Sequence, residues 1–91
     1  YLVSKAGLVA MTEALALELA PEVQVNAVSP GTVLLPDNAS PALEAGIVRR
    51  TPLGRIGTPQ DVARMVHYLV KHGDFMTGGN YLVDGGSALG R

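Results

Sequence analysis

The sequence predicts an α/β fold, the second half of an open parallel sheet with helices on both faces. Three observations lead there. The order of predicted elements is helix, strand, helix, helix, strand, and strands alternating with helices argue for a parallel sheet covered on both sides. Only two strands are present, too few to complete such a sheet. The composition of the 91 residues is also core-like, with 47% hydrophobic and 16% charged residues and a mean hydropathy of +0.25. A chain of this size buries only about 60–65% of the surface its unfolded form exposes, so this much apolar content calls for a covering surface from further sequence or from a partner chain.

The first element runs from Leu2 to Ala20. It is rich in Ala, Leu and Glu, all strong helix formers, and its only glycine is Gly7. Apolar residues lie almost all the way round it, at Leu2, Val3, Leu8, Val9, Met11, Leu15, Leu17 and Leu19. That distribution predicts a helix buried on more than one side, and Pro21 ends it. A Val-rich, partly alternating strand follows at residues 23–28, stopped by Ser29-Pro30-Gly31. Residues 32–40 form a loop containing Pro36, Asp37 and Asn38, and a weaker helix covers Pro41 to Arg50.

The best-marked helix comes next. Thr58 is a good N-cap, Pro59 occupies the first helical position and Asp61 falls in the first turn. Val62, Met65, Val66, Leu69 and Val70 then recur at helical spacing as one apolar stripe, and Gly73 supplies the stop. A short apolar strand, Tyr81 to Val83, lies between two glycine pairs. No internal repeat or low-complexity segment interrupts this order. The chain opens on Tyr1 with no cap or turn before its apolar residues, which reads as a cut through an element.

Charge and composition exclude several classes. The formal net charge is −1 with no basic cluster, so nothing favours nucleic acid or an anionic membrane surface. Glu13 and Glu18 keep the longest apolar stretch well short of the roughly 20 residues a membrane span requires. There is no cysteine, hence neither a disulfide nor a thiolate metal site, and a cytoplasmic location is expected.

Tyr1 and Lys5 stand four residues apart at the start of a helix, so both project from one face. An ammonium beside a phenol favours the phenolate, and a phenol so tuned can exchange a proton with a substrate oxygen or nitrogen near neutral pH. An ordinary surface pair is the alternative that spacing alone leaves open. At the end of the first strand, Pro30-Gly31 is either a plain turn or a place where the backbone approaches a ligand closely. Ligands in open α/β sheets bind beyond the carboxyl ends of strands.

Four blocks resemble the short-chain dehydrogenase/reductase family in order and spacing: YLVSK at 1–5, VNAVSPG at 25–31, PLGRIGTPQDVA at 52–63 and TGGNYLVDGG at 77–86. The resemblance covers essentially the whole chain. It implies that residues 1–91 are the C-terminal half of a Rossmann-like doubly wound parallel sheet, with the cofactor's phosphate loop and a catalytic serine N-terminal to Tyr1. It further implies an oxidoreductase that uses NADPH, with NAD as the lesser expectation, on a small-molecule substrate. Tyr1 would be the proton donor and Lys5 its activator and a ribose ligand. Pro30, Gly31, Thr32 and Val33 would lie against the nicotinamide. Many members carry a threonine where this chain has Leu35, which puts side-chain anchoring of the cofactor in doubt.

Within the family, the Leu35-Pro36-Asp37 run resembles pteridine reductase-like members, with ketoacyl-carrier-protein reductases as the alternative. A non-catalytic scaffold relative is a third reading, opposed by the presence of both Tyr1 and Lys5. The resemblance implies a homotetramer or homodimer, and implies that these residues alone neither bind dinucleotide tightly nor turn over. Thr51 is a weaker candidate for meeting the cofactor. His67 and His72 are expected to be solvated helix residues without a metal role. Arg49 and Arg50 are expected on a solvated face, Arg55 as a loop anchor, and Asp84-Gly85-Gly86 as a structural turn.

Overall fold

The computed structural model describes residues 2–90. Their order is α1 (Leu2–Leu19), β1 (Ala27–Pro30), α2 (Pro41–Arg50), α3 (Pro59–His72), β2 (Asn80–Val83) and a 3-10 turn at Ser87–Leu89. β1 and β2 pair in parallel, with Ala27 opposite Asn80 and Pro30 opposite Val83. Parallel neighbours need a crossover connection, and α3 lies within it, packed against both strands. The predicted order and the parallel sheet are therefore both observed.

The first strand lies later than predicted, at 27–30 instead of 23–28. The reason is that residues 24–26 are held by side chains. Gln24 Nε2 donates to the carbonyls of Gly73 and Met76, and Val25 N–H donates to Thr77 Oγ1 at 3.0 Å. Asn26 uses both ends of its amide: Nδ2 donates to the Met76 carbonyl at 2.9 Å, and Oδ1 accepts the Gly79 N–H at 3.1 Å. A regular ladder begins only at Ala27. It runs through Ser29 to Pro30, since a proline that cannot donate is tolerated at a strand's end.

α2 and α3 begin and end where their sequence signals place them. Ser40 caps α2 by accepting the Leu43 N–H at 3.1 Å. Thr58 and Asp61 form a reciprocal capping box on α3: Thr58 Oγ1 accepts the Asp61 N–H at 3.2 Å, and Asp61 Oδ2 accepts the Thr58 N–H at 2.7 Å. The Gly73 N–H closes the other end on the Leu69 carbonyl at 3.1 Å. Of the apolar stripe, Val62, Met65 and Leu69 are half-buried, while Val66 and Val70 stay exposed.

α1 departs from expectation. Within this chain it buries Thr12 and Ala16, whereas Leu8, Met11, Leu15, Leu17 and Leu19 are exposed, Leu17 to 83%. One strip meets β1, and the apolar residues around the rest of the helix are uncovered. The same holds more widely. Ala16 and Ala27 are the buried hydrophobic residues among those described. The accessible surface is 6608 Å², against about 5,000 Å² for a folded monomer of this mass. The radius of gyration is 15.2 Å, against about 12 Å for a compact domain of this length. The apolar composition is thus spent on surface that this chain does not itself cover.

Candidate functional site

The carboxyl ends of β1 and β2 bring together three segments far apart in sequence: the turn at 30–33, the loop at 51–57 and the turn at 84–86. Gly31 N–H donates to the Val83 carbonyl at 3.0 Å, extending the pairing past the strands. Leu53 N–H donates to the Gly85 carbonyl at 3.1 Å, and Gly57 N–H to the Thr32 carbonyl at 2.9 Å. The loop at 51–57 therefore bridges the other two.

Lys5, half-buried on the first turns of α1, lines a shallow open cavity of about 260 Å³ with Ser4, Leu8, Val28, Ser29 and Pro30. Two of the predicted site residues, Lys5 and Pro30, thus share one cavity at the carboxyl end of β1. Tyr1 lies outside the described residues. Ser29 was not singled out from the sequence. It is buried and donates from Oγ to Asn80 Oδ1 at 2.7 Å, tying the cavity wall to β2. A hydroxyl at the end of an otherwise apolar strand was the signal available for it.

Gly31 has a reason for being glycine within the chain itself. A Cβ there would stand 2.9 Å from the Asp84 Cα and 3.2 Å from its carbonyl oxygen, closer than packed atoms allow. Close backbone approach is thus required by Asp84, apart from any ligand. Thr32 faces a second cleft of about 530 Å³, with Thr51, Leu53, Arg55 and Asp84 among its walls. Thr32 and Lys5 line different cavities. Val33 is half-buried and packs toward Gly57, where an added Cβ would meet Val33 Cγ1 at 3.0 Å.

Thr51 is buried, and its hydroxyl donates to the Ile47 carbonyl at 2.7 Å, so it closes the end of α2. Asp84 organises the last turn. Its Oδ1 accepts the Gly86 N–H at 2.9 Å and its Oδ2 the Ala88 N–H at 3.1 Å, while Gly85 and Gly86 take left-handed backbone angles that glycine adopts without strain. This is the structural turn expected from the sequence.

Arg55 anchors its loop, as expected, and the strongest electrostatic feature centres on it. Asp61 accepts from Arg55 Nη1 at 2.9 Å and Nη2 at 3.3 Å, from Thr58 N–H and Oγ1, and from Arg64 at 3.4 Å. The Arg55 guanidinium, then the Thr58 N–H, hold the Asp61 carboxyl well below the usual carboxylate range, and Asp61 raises Arg55 in turn. Arg49 and Arg50 are exposed at the end of α2, and His67 and His72 are exposed on α3. Among the described residues, no group of His, Asp or Glu is arranged to hold a metal, and no helix is long and apolar enough to cross a membrane.

The family model described as enoyl-(acyl carrier protein) reductase matches residues 1–88. Among curated proteins, the chain is 42% identical to 1,2-dihydroxy-1,2-dihydronaphthalene dehydrogenase of Pseudomonas putida, covering 100% of this chain and 41% of that protein. It is 40% identical to the 3-oxoacyl-(acyl-carrier-protein) reductase of Rickettsia typhi, covering 98% of this chain and 39% of the relative. Among solved structures, a short-chain dehydrogenase from Leptospira borgpetersenii with bound NAD+ superimposes with a TM-score of 0.87 at 37% identity, over 96% of this chain and 34% of that one. A 4-hydroxyisoleucine dehydrogenase mutant complexed with NADH and succinate gives a TM-score of 0.90 at 32% identity, over 100% of this chain and 40% of that one. The chain spans between about a third and two fifths of the length of these relatives. It belongs to the short-chain dehydrogenase/reductase family, and its two-stranded sheet is part of that family's Rossmann-type fold.

Proposed function

From membership of that family, we propose that the protein carrying this chain is a nicotinamide-dependent oxidoreductase in which Tyr1 exchanges the proton and Lys5 activates it. The observation that carries the proposal is the cavity shared by Lys5 and Pro30 at the carboxyl end of β1. The residues present fit the nicotinamide end of a dinucleotide. Leu8, Val28 and Pro30 offer an apolar wall for a flat ring, and Lys5 and Ser4 supply polar atoms beside it.

The bound nicotinamide would supply or accept a hydride. This chain's residues do the rest. Pro30 and the backbone of Gly31, Thr32 and Val33 would bound the ring, and the Lys5 ammonium would hold the ribose. The same ammonium, four residues from Tyr1 in sequence, would favour the phenolate and so ease proton transfer to or from the substrate heteroatom. NADPH is our first reading for a reductase, while the NAD+ and NADH in the two solved neighbours favour NAD(H).

For the substrate, the run at Leu35–Asp37 supports a pteridine-like C=N group. The 3-oxoacyl-(acyl-carrier-protein) reductase among the relatives favours a carbonyl reduced to a hydroxyl, and the 1,2-dihydroxy-1,2-dihydronaphthalene dehydrogenase favours a hydroxyl-bearing substrate. A homotetramer or homodimer is proposed, supported by the uncovered apolar residues of α1, and a cytoplasmic location is proposed with it. Substituting Tyr1→Phe in the full protein, assayed by oxidation of reduced nicotinamide with both substrate classes, is expected to lower turnover about 10²–10⁴-fold. Unchanged turnover with cofactor still bound would refute the assignment.

A further inference from the structure

Gly57 is held from both sides by one carboxylate. On its C-terminal side, the Thr58 N–H and hydroxyl donate to Asp61 Oδ2 at 2.7 and 3.1 Å. On its N-terminal side, Arg55 forks onto the same carboxylate at 2.9 and 3.3 Å, and its Nη1 also donates to the Ile56 carbonyl at 3.1 Å. Between these two fixed points, the Gly57 N–H points at the Thr32 carbonyl, 2.9 Å away. The packing at the contact is close: a Cβ at Gly57 would stand 3.0 Å from Val33 Cγ1, so Val33 would have to shift by a few tenths of an ångström.

An exposed ion pair by itself contributes little to stability, and Arg55 is largely exposed, with a side-chain accessibility of 56%. Its geometry gives it another use. A guanidinium fork fixes direction as well as distance, and the peptide that it fixes is the one whose N–H reaches the turn after β1. We propose that Arg55, through Asp61 and the Gly57 N–H, is a positioning residue that sets the Thr32–Val33 backbone for the nicotinamide cofactor. The proposal rests on the functional reading above, which puts residues 30–33 against that cofactor. It adds a determinant of cofactor affinity that lies outside the cavity shared by Lys5 and Pro30.

The test uses the full protein and reads the dissociation constant for NADH and for NADPH by fluorescence titration, beside the thermal midpoint of the cofactor-free protein and kcat at saturating cofactor. Arg55→Ala is expected to weaken binding of the preferred dinucleotide roughly five- to tenfold, the scale of one lost ordering hydrogen bond, with kcat little changed. Arg55→Lys keeps the charge but loses the fork, and should recover only part of the affinity. Gly57→Ala leaves the ion pair intact and wedges against Val33, so it should weaken binding as well. A lower thermal midpoint for Arg55→Ala with unchanged affinity in all three variants makes the clasp purely structural and overturns the proposal. Should Arg55→Ala fail to fold, Arg55→Lys and Gly57→Ala decide by the same measurement. A wild-type protein that binds neither dinucleotide instead defeats the functional reading beneath it.

Discussion

Helix α3 carries capping devices at both ends, whereas the described part of α1 has only Pro21 as a stop. α3 opens on a capping box with proline at its start, and closes on Lys71, His72 and Gly73. Those devices satisfy the orphan groups at each end and suit the helix dipole. α1 has no acidic residue in its first turn and no basic residue in its last, and its apolar residues lie on every side. It is also the helix that brings Lys5 to the site. The contrast separates two ways of specifying a helix: by local chemistry at its ends, or by the surfaces packed round it. The chemistry proposed here sits on the second kind, where the protein's other surfaces fix its position.

That contrast can be broken by substitutions that act on packing alone or on capping alone. Ala16→Leu barely alters helix propensity. Ala16, however, is buried, and its Cβ lies 3.5 Å from where a Cβ of Gly78 would stand. Overpacking there should cost about 1–3 kcal/mol in the full protein, read from the denaturant midpoint. A neutral result would show that α1 is not held against the β2 end of the sheet.

Thr58→Ala leaves packing untouched and removes the hydroxyl that accepts the Asp61 N–H. It should cost about 1 kcal/mol, and a loss below experimental error would mean that Pro59 and Asp61 suffice to start α3. The smallest effect concerns pH. Asp61 is held below its unfolded value near 3.9, so its contribution is complete above that pH and is lost as pH falls from there toward its lower folded value. The wild-type thermal midpoint should therefore fall more steeply than that of Asp61→Asn below about pH 4. Parallel acid limbs would show that the Arg55–Asp61 geometry does not persist in solution.

The elements were legible wherever their signals are local. Ser40-Pro41 and Thr58-Pro59 mark starts, Gly73 marks a stop, and both helices lie within those limits. The strand at 23–28 was misplaced because alternation describes a chain's tendency to be extended. The ladder's start is set by which groups Gln24 and Asn26 find on residues 73–79, some fifty positions away. Lys5 and Pro30, expected at the site from the order and spacing of four short blocks, line one cavity. Ser29 and Gly57 were not so expected, since a hydroxyl or a glycine has no pattern of its own until a partner stands opposite it.

The amino-acid sequence by itself determined the α/β class, the order of elements, the ends of α2 and α3, and the family. Each of these follows from chemistry within a few residues or from motif spacing along the chain. Tertiary structure decided that Gly31 must accommodate Asp84 and that the loop at 51–57 reaches the turn after β1. It also decided that α1, apolar all round, buries Thr12 and Ala16 within this chain while Leu8, Met11, Leu15, Leu17 and Leu19 stay exposed. Those outcomes depend on distances between segments remote in sequence, where a few tenths of an ångström separate a contact from a clash.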